Sequence, residues 1–228
     1  MGILSARDVP SLVFLHAEIR AAARPSYAVL LARFFKTGPG QYGEGDVFLG
    51  LDMPTCRRIA GKYRGLRLAD IRRALASKFH EERLIGLLLL VDRFTHGNAS
   101  TRKETFDFYL SHADSANNWD LVDLSAPYIV GMHVALGGAR ASVLTKLARS
   151  KSLWRKRIAI VATLALIKDG RLKETFRIAD ILMRDEHDLI HKAVGWMLRE
   201  AGKKDHAALV RYLAPRYKTM PRTMLRYA

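Results

Sequence analysis

Cysteine is almost missing: Cys56 is the only one in 228 residues. That rules out an internal disulfide and any zinc site built on several thiolates, and it fits a reducing compartment. No apolar run is long enough to cross a bilayer, since the longest, Leu84 to Val91, falls well short of the roughly 20 residues a spanning helix needs. The N-terminus has no signal-peptide stretch after its first basic residue. In Met1-Gly2-Ile3-Leu4-Ser5-Ala6, Ala6 stands where a myristoylation signal needs Ser or Thr. Acid is scarce too: 22 Asp and Glu face 38 Lys and Arg, for a net charge of +16. These absences predict a soluble, cytoplasmic protein that attracts a polyanion, with nucleic acid ahead of an acidic membrane surface or an acidic protein.

Alternating, β-branched, turn-bounded segments are also lacking, whereas apolar residues recur at three- and four-residue intervals nearly throughout. The fold predicted is all-α. Its punctuation agrees: Pro10, Pro25 and Pro54 sit near helix starts, and Gly61, Gly97, Gly170 and Gly202 near helix ends. Asn117, Ser152 and Asp188 are expected N-caps. Taken with His80, these starts are offset by 37, 35 and 36 residues. Two helices per such period mark a right-handed solenoid of HEAT-like repeats with a concave basic face. Residues 101–111, 140–148 and 171–183 supply the first helix of successive units. One domain over 1–228 is expected, with N-terminal helices and a loop in 1–52 and repeats in 53–228.

That loop, Lys36 to Asp46, holds four glycines and a proline in eleven residues. It lacks the Lys-Ser/Thr ending of a nucleotide-binding loop, so it is read as a connector from the first helix pair to the solenoid that touches the ligand.

Positive charge is clustered. Residues 56–73 hold seven basic side chains against Asp70, residues 139–157 hold seven against none, and the last 28 residues hold seven against Asp205. Clusters one repeat apart would merge along a concave wall into a channel that grips phosphates.

Within this background stand three tryptophans. Trp119 and Asp123 are four apart and share a helix face; Trp154 with Arg157, and Trp196 with Arg199, repeat the arrangement at three. Core packing is the plainer reading of Trp154. Asp123, set among Leu121, Val122, Leu124 and Ala126, needs a partner or solvent, and Arg157 is one candidate partner. His187 and His191 have the spacing of a zinc helix, but no third ligand or base accompanies them, so no metal and no cofactor are expected. His112 and His133 have no nucleophile at a recognisable spacing.

The segments Asn118 to Asp123, Trp154 to Arg157 and Lys192 to Glu200, together with Phe48-Leu49-Gly50 before Pro54 and the closing Arg222 to Ala228, resemble the AlkD-type DNA alkylation repair family. These are bacterial alkylpurine DNA glycosylases built from HEAT-like repeats, and the resemblance covers about residues 25 to 228. It implies that Asp123 is catalytic, that Trp119 and Trp196 face the lesion, and that Arg157 contacts a phosphate. Arg155, Lys156, Lys151, Arg199 and Arg222 are the further expected DNA contacts. Asp52 departs from the pattern, since an amide stands there in some members.

The resemblance further implies a monomer acting on duplex DNA with alkylated purines, in the cytoplasm and associated with the nucleoid. N3- and N7-alkylated purines are cations, so they leave as neutral bases without a general acid. A carboxylate and aromatic faces then stabilise the oxocarbenium-like sugar. Some relatives have lost these groups and only bind DNA. A non-catalytic repeat protein binding DNA or RNA, or an adaptor for an acidic protein, are the competing readings.

Overall fold

The computed structural model describes residues 11–228; Pro10 and the Met1 to Ala6 segment lie outside them. Among the described residues the regular structure is helical, and one isolated bridge joins Val47 to Phe79. The first helices are α1 (Leu12–Ala21) and α2 (Pro25–Phe34), whose Pro25 takes the opening position, where a missing N–H costs nothing. The glycine-rich segment then leads to α3 (Met53–Lys62). Asp52 caps α3: its carboxylate accepts from the Thr55 N–H at 2.9 Å and pairs with Arg24 at 2.8 Å. The departure at Asp52 is therefore taken up by a cap and an ion pair.

From there the helices come in pairs: α4 (Leu68–Leu75) with α5 (His80–His96), then α6 (Ala99–Ser111) with α7 (Trp119–Ala126). A π turn over Pro127–Gly131 and the short α8 (Met132–Ala135) follow. The next pairs are α9 (Ser142–Ala148) with α10 (Leu153–Val161) and, after α11 (Thr163–Lys168), α12 (Lys173–Leu182) with α13 (Asp188–Lys204). The chain ends in α14 (His206–Leu213) and α15 (Arg222–Tyr227). Second helices α5, α7, α10 and α13 pack each against the next in chain order, which is the stacking of a helical-repeat solenoid.

Local chemistry explains the boundaries. Ser152 caps α10 as expected, its hydroxyl accepting from the Arg155 N–H at 3.4 Å. The other two caps fall one residue away from the expected ones. Asn118, not Asn117, takes the extended backbone before α7 and accepts from the Trp119 N–H at 2.8 Å. His187, not Asp188, precedes α13, its Nδ1 accepting from the Leu189 N–H at 3.1 Å. Asp188 is instead the first helical residue, where its charge meets the positive end of the helix dipole.

The centre of the molecule is α5. It is enclosed by α3, α4, α6 and α7, which is why Leu84 to Leu90 are apolar on every side and buried. Its first turn is buried as well, yet polar, and every charge there is matched. Glu81 accepts from the N–H groups of Leu49, Gly50 and Leu51 at 2.9, 2.7 and 3.1 Å. Glu82 meets Arg20 at 3.3 Å and His16 at 3.5 Å. Unmatched, such groups would cost several kcal/mol each. This turn ties the N-terminal helices and the glycine-rich segment onto the repeats.

Candidate active site

Asp188, Lys192, Trp196 and Arg199 lie at intervals of four, four and three along α13, hence on one face. All four line a cleft of about 660 Å³, within the size range of ligand sites. Helix α7 contributes Trp119 and Asp123, and α10 contributes Arg157. Phe34 from the end of α2, Lys36 and Tyr42 from the glycine-rich segment, and Tyr227 from α15 complete its wall. Tyr227 gets there because α15 lies hard against α13 at Gly195. A Cβ on that glycine would stand 2.4 Å from the Tyr227 Cβ and 2.5 Å from the Met224 carbonyl oxygen.

Asp123 is gripped by Arg157 through two parallel hydrogen bonds, Nε donating to Oδ1 at 2.9 Å and Nη2 to Oδ2 at 2.8 Å. The remaining Nη1 donates to the Leu189 carbonyl oxygen at 2.7 Å. The arginine side chain is 6% exposed and the aspartate 20%, so the carboxylate is the partner more open to solvent. Burial pushes the Asp123 carboxyl up, the Arg157 charge and hydrogen bonds pull it down, and Asp120 adds a smaller upward push. Burial prevails, and the group sits above the usual aspartate range. Three of the five guanidinium N–H groups of Arg157 are spent in this way, on the carboxylate and on the first turn of α13.

Trp119 is held from behind by an aromatic column. It stacks on Phe35 at 5.2 Å, Phe35 stacks on Phe48 at 5.0 Å, and Phe48 stacks on the His80 ring at 4.4 Å. His80 lies between two carboxylates, Nδ1 to Asp46 and Nε2 to Asp120, both at 2.8 Å. Burial alone would lower its pKa; the bonds to Asp120 and Asp46 outweigh that and raise it to about 9. Asp46 also binds Arg83 at 2.5 Å and Asn118 at 3.2 Å, so the end of the glycine-rich segment is locked to α5 and to the cap of α7.

The cleft thus brings together Trp119, Asp123, Arg157, Trp196 and Arg199. The other expected DNA contacts lie outside it. Arg155 forks onto Asp114 at 2.8 and 2.7 Å, Lys156 pairs with Asp185 at 2.6 Å, and Arg222 is exposed at the start of α15. Lys151 is exposed in a neighbouring depression shared with Arg149, Lys156 and Arg184. None of Arg149, Lys151 and Arg184 forms an ion pair among the described residues, and His187 borders both this depression and the cleft. Trp154 is half-buried, packed against the core and away from the cleft lining.

Residue density misleads about the cations. The cluster on α3 and α4 is largely absorbed internally: Arg58 and Lys62 meet Glu18, Arg64 meets Asp92, and Arg67 meets Asp70. The cleft takes its other positive groups, Lys36, Lys192 and Arg199, from outside all three clusters. Of these, Lys192 is paired with Asp188 at 2.7 Å. Lys192 and Tyr227 lie inside the resembling segments, while Phe34 and Tyr42 are joined to the tryptophans only by the fold. His187 serves as a cap, and His191 is bonded through Nε2 to the Asp185 carbonyl oxygen at 2.5 Å. His133 is packed against Phe106, and burial lowers its pKa.

Fold and cleft together define an all-helical repeat protein whose site combines a desolvated carboxylate, aromatic faces and cationic side chains. The sequence from residue 15 to 228 matches the model of the DNA alkylation repair enzyme family, and the chain belongs to that family. Family membership supports a role in alkylation-damage repair, with DNA as the partner. A solved chain described as a predicted DNA alkylation repair enzyme from Enterococcus faecalis is similar, with a TM-score of 0.71 at 16% identity. The match covers 90% of this chain and 94% of that one, and at such identity the likeness is one of fold. No curated protein gives a match.

Proposed function

We propose that this protein is a DNA glycosylase of the AlkD type, hydrolysing the N-glycosidic bond of cationic N3- or N7-alkylated purines in duplex DNA, with residues 1–228 acting as one unit. The observation that carries this reading is the convergence of Asp123, Trp119 and Trp196 on one open cleft. As the C1′–N bond breaks, its electron pair goes to the base, which leaves neutral. Positive charge develops on C1′ and the ring oxygen of the sugar. Asp123 meets that charge electrostatically, and the indole faces add cation–π attraction of about 0.5 to 2 kcal/mol each. Water then adds its oxygen to C1′, and its proton passes to Asp123 or to solvent. An unmodified purine gains little here, because it would leave as an anion and its departure needs protonation, which a cationic alkylated base does not.

Arg157 is assigned as a positioning residue that fixes both oxygens of Asp123. Arg199 at the cleft and Lys151 beside it are assigned to phosphates, with the exposed Arg222 as an outer contact and Arg155 and Lys156 as others, reached once Asp114 and Asp185 exchange. The cleft is open rather than a deep pocket, which suits recognition of the lesion without full enclosure of the base.

One observation favours a second reading. The fork from Arg157 occupies both Asp123 oxygens, as in a purely structural ion pair, and a non-catalytic repeat protein binding DNA or RNA would keep it so. The discriminating experiment measures free purine released from a duplex carrying N7-methylguanine and from the same duplex unmodified. Release from the first alone is expected; release from neither would leave the binding reading in place.

A further inference from the structure

Resting on that glycosylase reading, we infer that Lys36 grips one of the two phosphates flanking the damaged nucleotide and Arg199 the other, so that the sugar between them is held against Asp123. Among the cations that line the cleft, Arg157 is committed to Asp123 and Lys192 to Asp188. Lys36 and Arg199 also line it, and neither forms an ion pair among the described residues. They come from different elements, Lys36 from the turn after α2 and Arg199 from α13. Every nucleotide within a strand carries one phosphate on each side of its sugar. Two uncommitted cations in the cleft that holds Asp123 and both indoles match that demand.

The backbone at Lys36 supports this independently. Its φ is 53°, in the left-handed region, and every other positive-φ position among the described residues is a glycine. The turn that ends α2 demands this conformation. The Lys36 N–H donates to the Arg33 carbonyl oxygen at 3.3 Å and the Thr37 N–H to that of Ala32 at 3.2 Å, a pair of bonds that closes a helix through a left-handed residue, usually glycine. Lysine strains the backbone there, and glycine would not. What lysine adds is a long cationic side chain at the cleft, and strain of this kind gathers where function needs a particular group. Attraction to the negative end of α2 is already served by Arg33 in its last turn. The root of the side chain is also fixed. Phe35, just before it, is buried and stacked on Trp119, and the Gly43 N–H donates to the Lys36 carbonyl oxygen at 3.2 Å.

The test compares wild type, Lys36→Gly, Lys36→Gln and Lys36→Arg on one duplex carrying N7-methylguanine. Urea unfolding, the salt dependence of binding and single-turnover base release from fully bound duplex are measured for each. Lys36→Gly should fold more stably, its folding equilibrium constant rising by about two- to fivefold. Its log–log salt slope should nevertheless fall by about one, and release should slow by about tenfold or more as the sugar loses its anchor. Lys36→Gln keeps the strain and loses the charge, so it should match wild type in stability and Lys36→Gly in slope and rate. Lys36→Arg should restore both. A wild-type slope in Lys36→Gln overturns the inference, and so does a lowered slope with an unchanged release rate, which would put Lys36 on a phosphate away from the lesion. Lower stability, or failure to fold, in Lys36→Gly overturns the argument from strain, and Lys36→Gln still decides the contact. Adding Arg199→Ala to Lys36→Gln should lower the slope by about two; a drop of only about one would mean that both side chains share a phosphate and overturns the flanking arrangement. No base release by wild type removes the glycosylase reading, and the slope of Lys36→Gln then decides the phosphate contact by itself.

Discussion

Asp120 and Asp123 are three residues apart on the same helix, each paired with a buried cation, and yet their surroundings assign them different work. Asp120 faces inward to His80, which a second carboxylate, Asp46, holds from the other side. Asp123 meets Arg157 at the cleft and shares that wall with both lesion-facing indole candidates. Behind the aromatic column, charge fastens the glycine-rich segment, α5 and α7 together. In front of it, charge is available to a ligand. The difference teaches that ion pairing alone does not tell scaffold from site; what tells them apart is which pair a ligand can reach.

The largest effect should come from breaking the inner pair. Asp46→Ala leaves His80 and Arg83 short of a partner in a buried setting, at a cost of about 3 to 5 kcal/mol. Urea unfolding measures it, and a loss under about 1 kcal/mol would return the network to incidental status.

Next comes its pH dependence. His80 has a folded pKa of about 9, above its ordinary value of 6.5, so protonated His80 stabilises the fold. That contribution is complete below about pH 6.5, is lost as pH rises toward 9, and is on the order of 3 kcal/mol. Unfolding midpoints at about pH 6 and about pH 9.5 should differ accordingly, and the difference should shrink in Asp46→Ala.

The outer pair should respond differently. Arg157→Ala removes the downward pull on Asp123, whose carboxyl already lies above the usual range. Base release needs the ionised form, so its acid limb should move to higher pH, with stability reduced by about 1 to 3 kcal/mol. The salt slope of DNA binding should stay as in wild type; a slope smaller by about one would make Arg157 a phosphate contact instead. The smallest effect is expected for Lys151→Ala, which should lower that slope by about one unit and leave the single-turnover rate on bound DNA unchanged.

Periodicity carried the architecture because each helix advertises its own buried face. Residues 101–111, 140–148 and 171–183 fall on α6, α9 and α12, and the caps at Asn118 and His187 shift by one residue only because their neighbours are also capping or acidic types. The π turn at Pro127–Gly131 carried no such signal, being a local widening of the helix inside an apolar stretch. Within the site, Trp119 and Asp123 were legible as a helical pair. Phe34 and Tyr42 were not, since only tertiary packing brings them across more than seventy residues to Trp119. Charge clusters were legible as positive but not as free, because Glu18 and Asp92 come to them from other helices.

The central claim concerns a carboxylate facing an electron-poor sugar, and one measurement reaches it directly: single-turnover release of N7-methylguanine by Asp123→Asn, with duplex affinity measured in parallel. The account predicts release slowed by about a hundredfold or more while binding persists, the scale expected when a fixed electrostatic partner is removed. Release at the wild-type rate by that variant would contradict it.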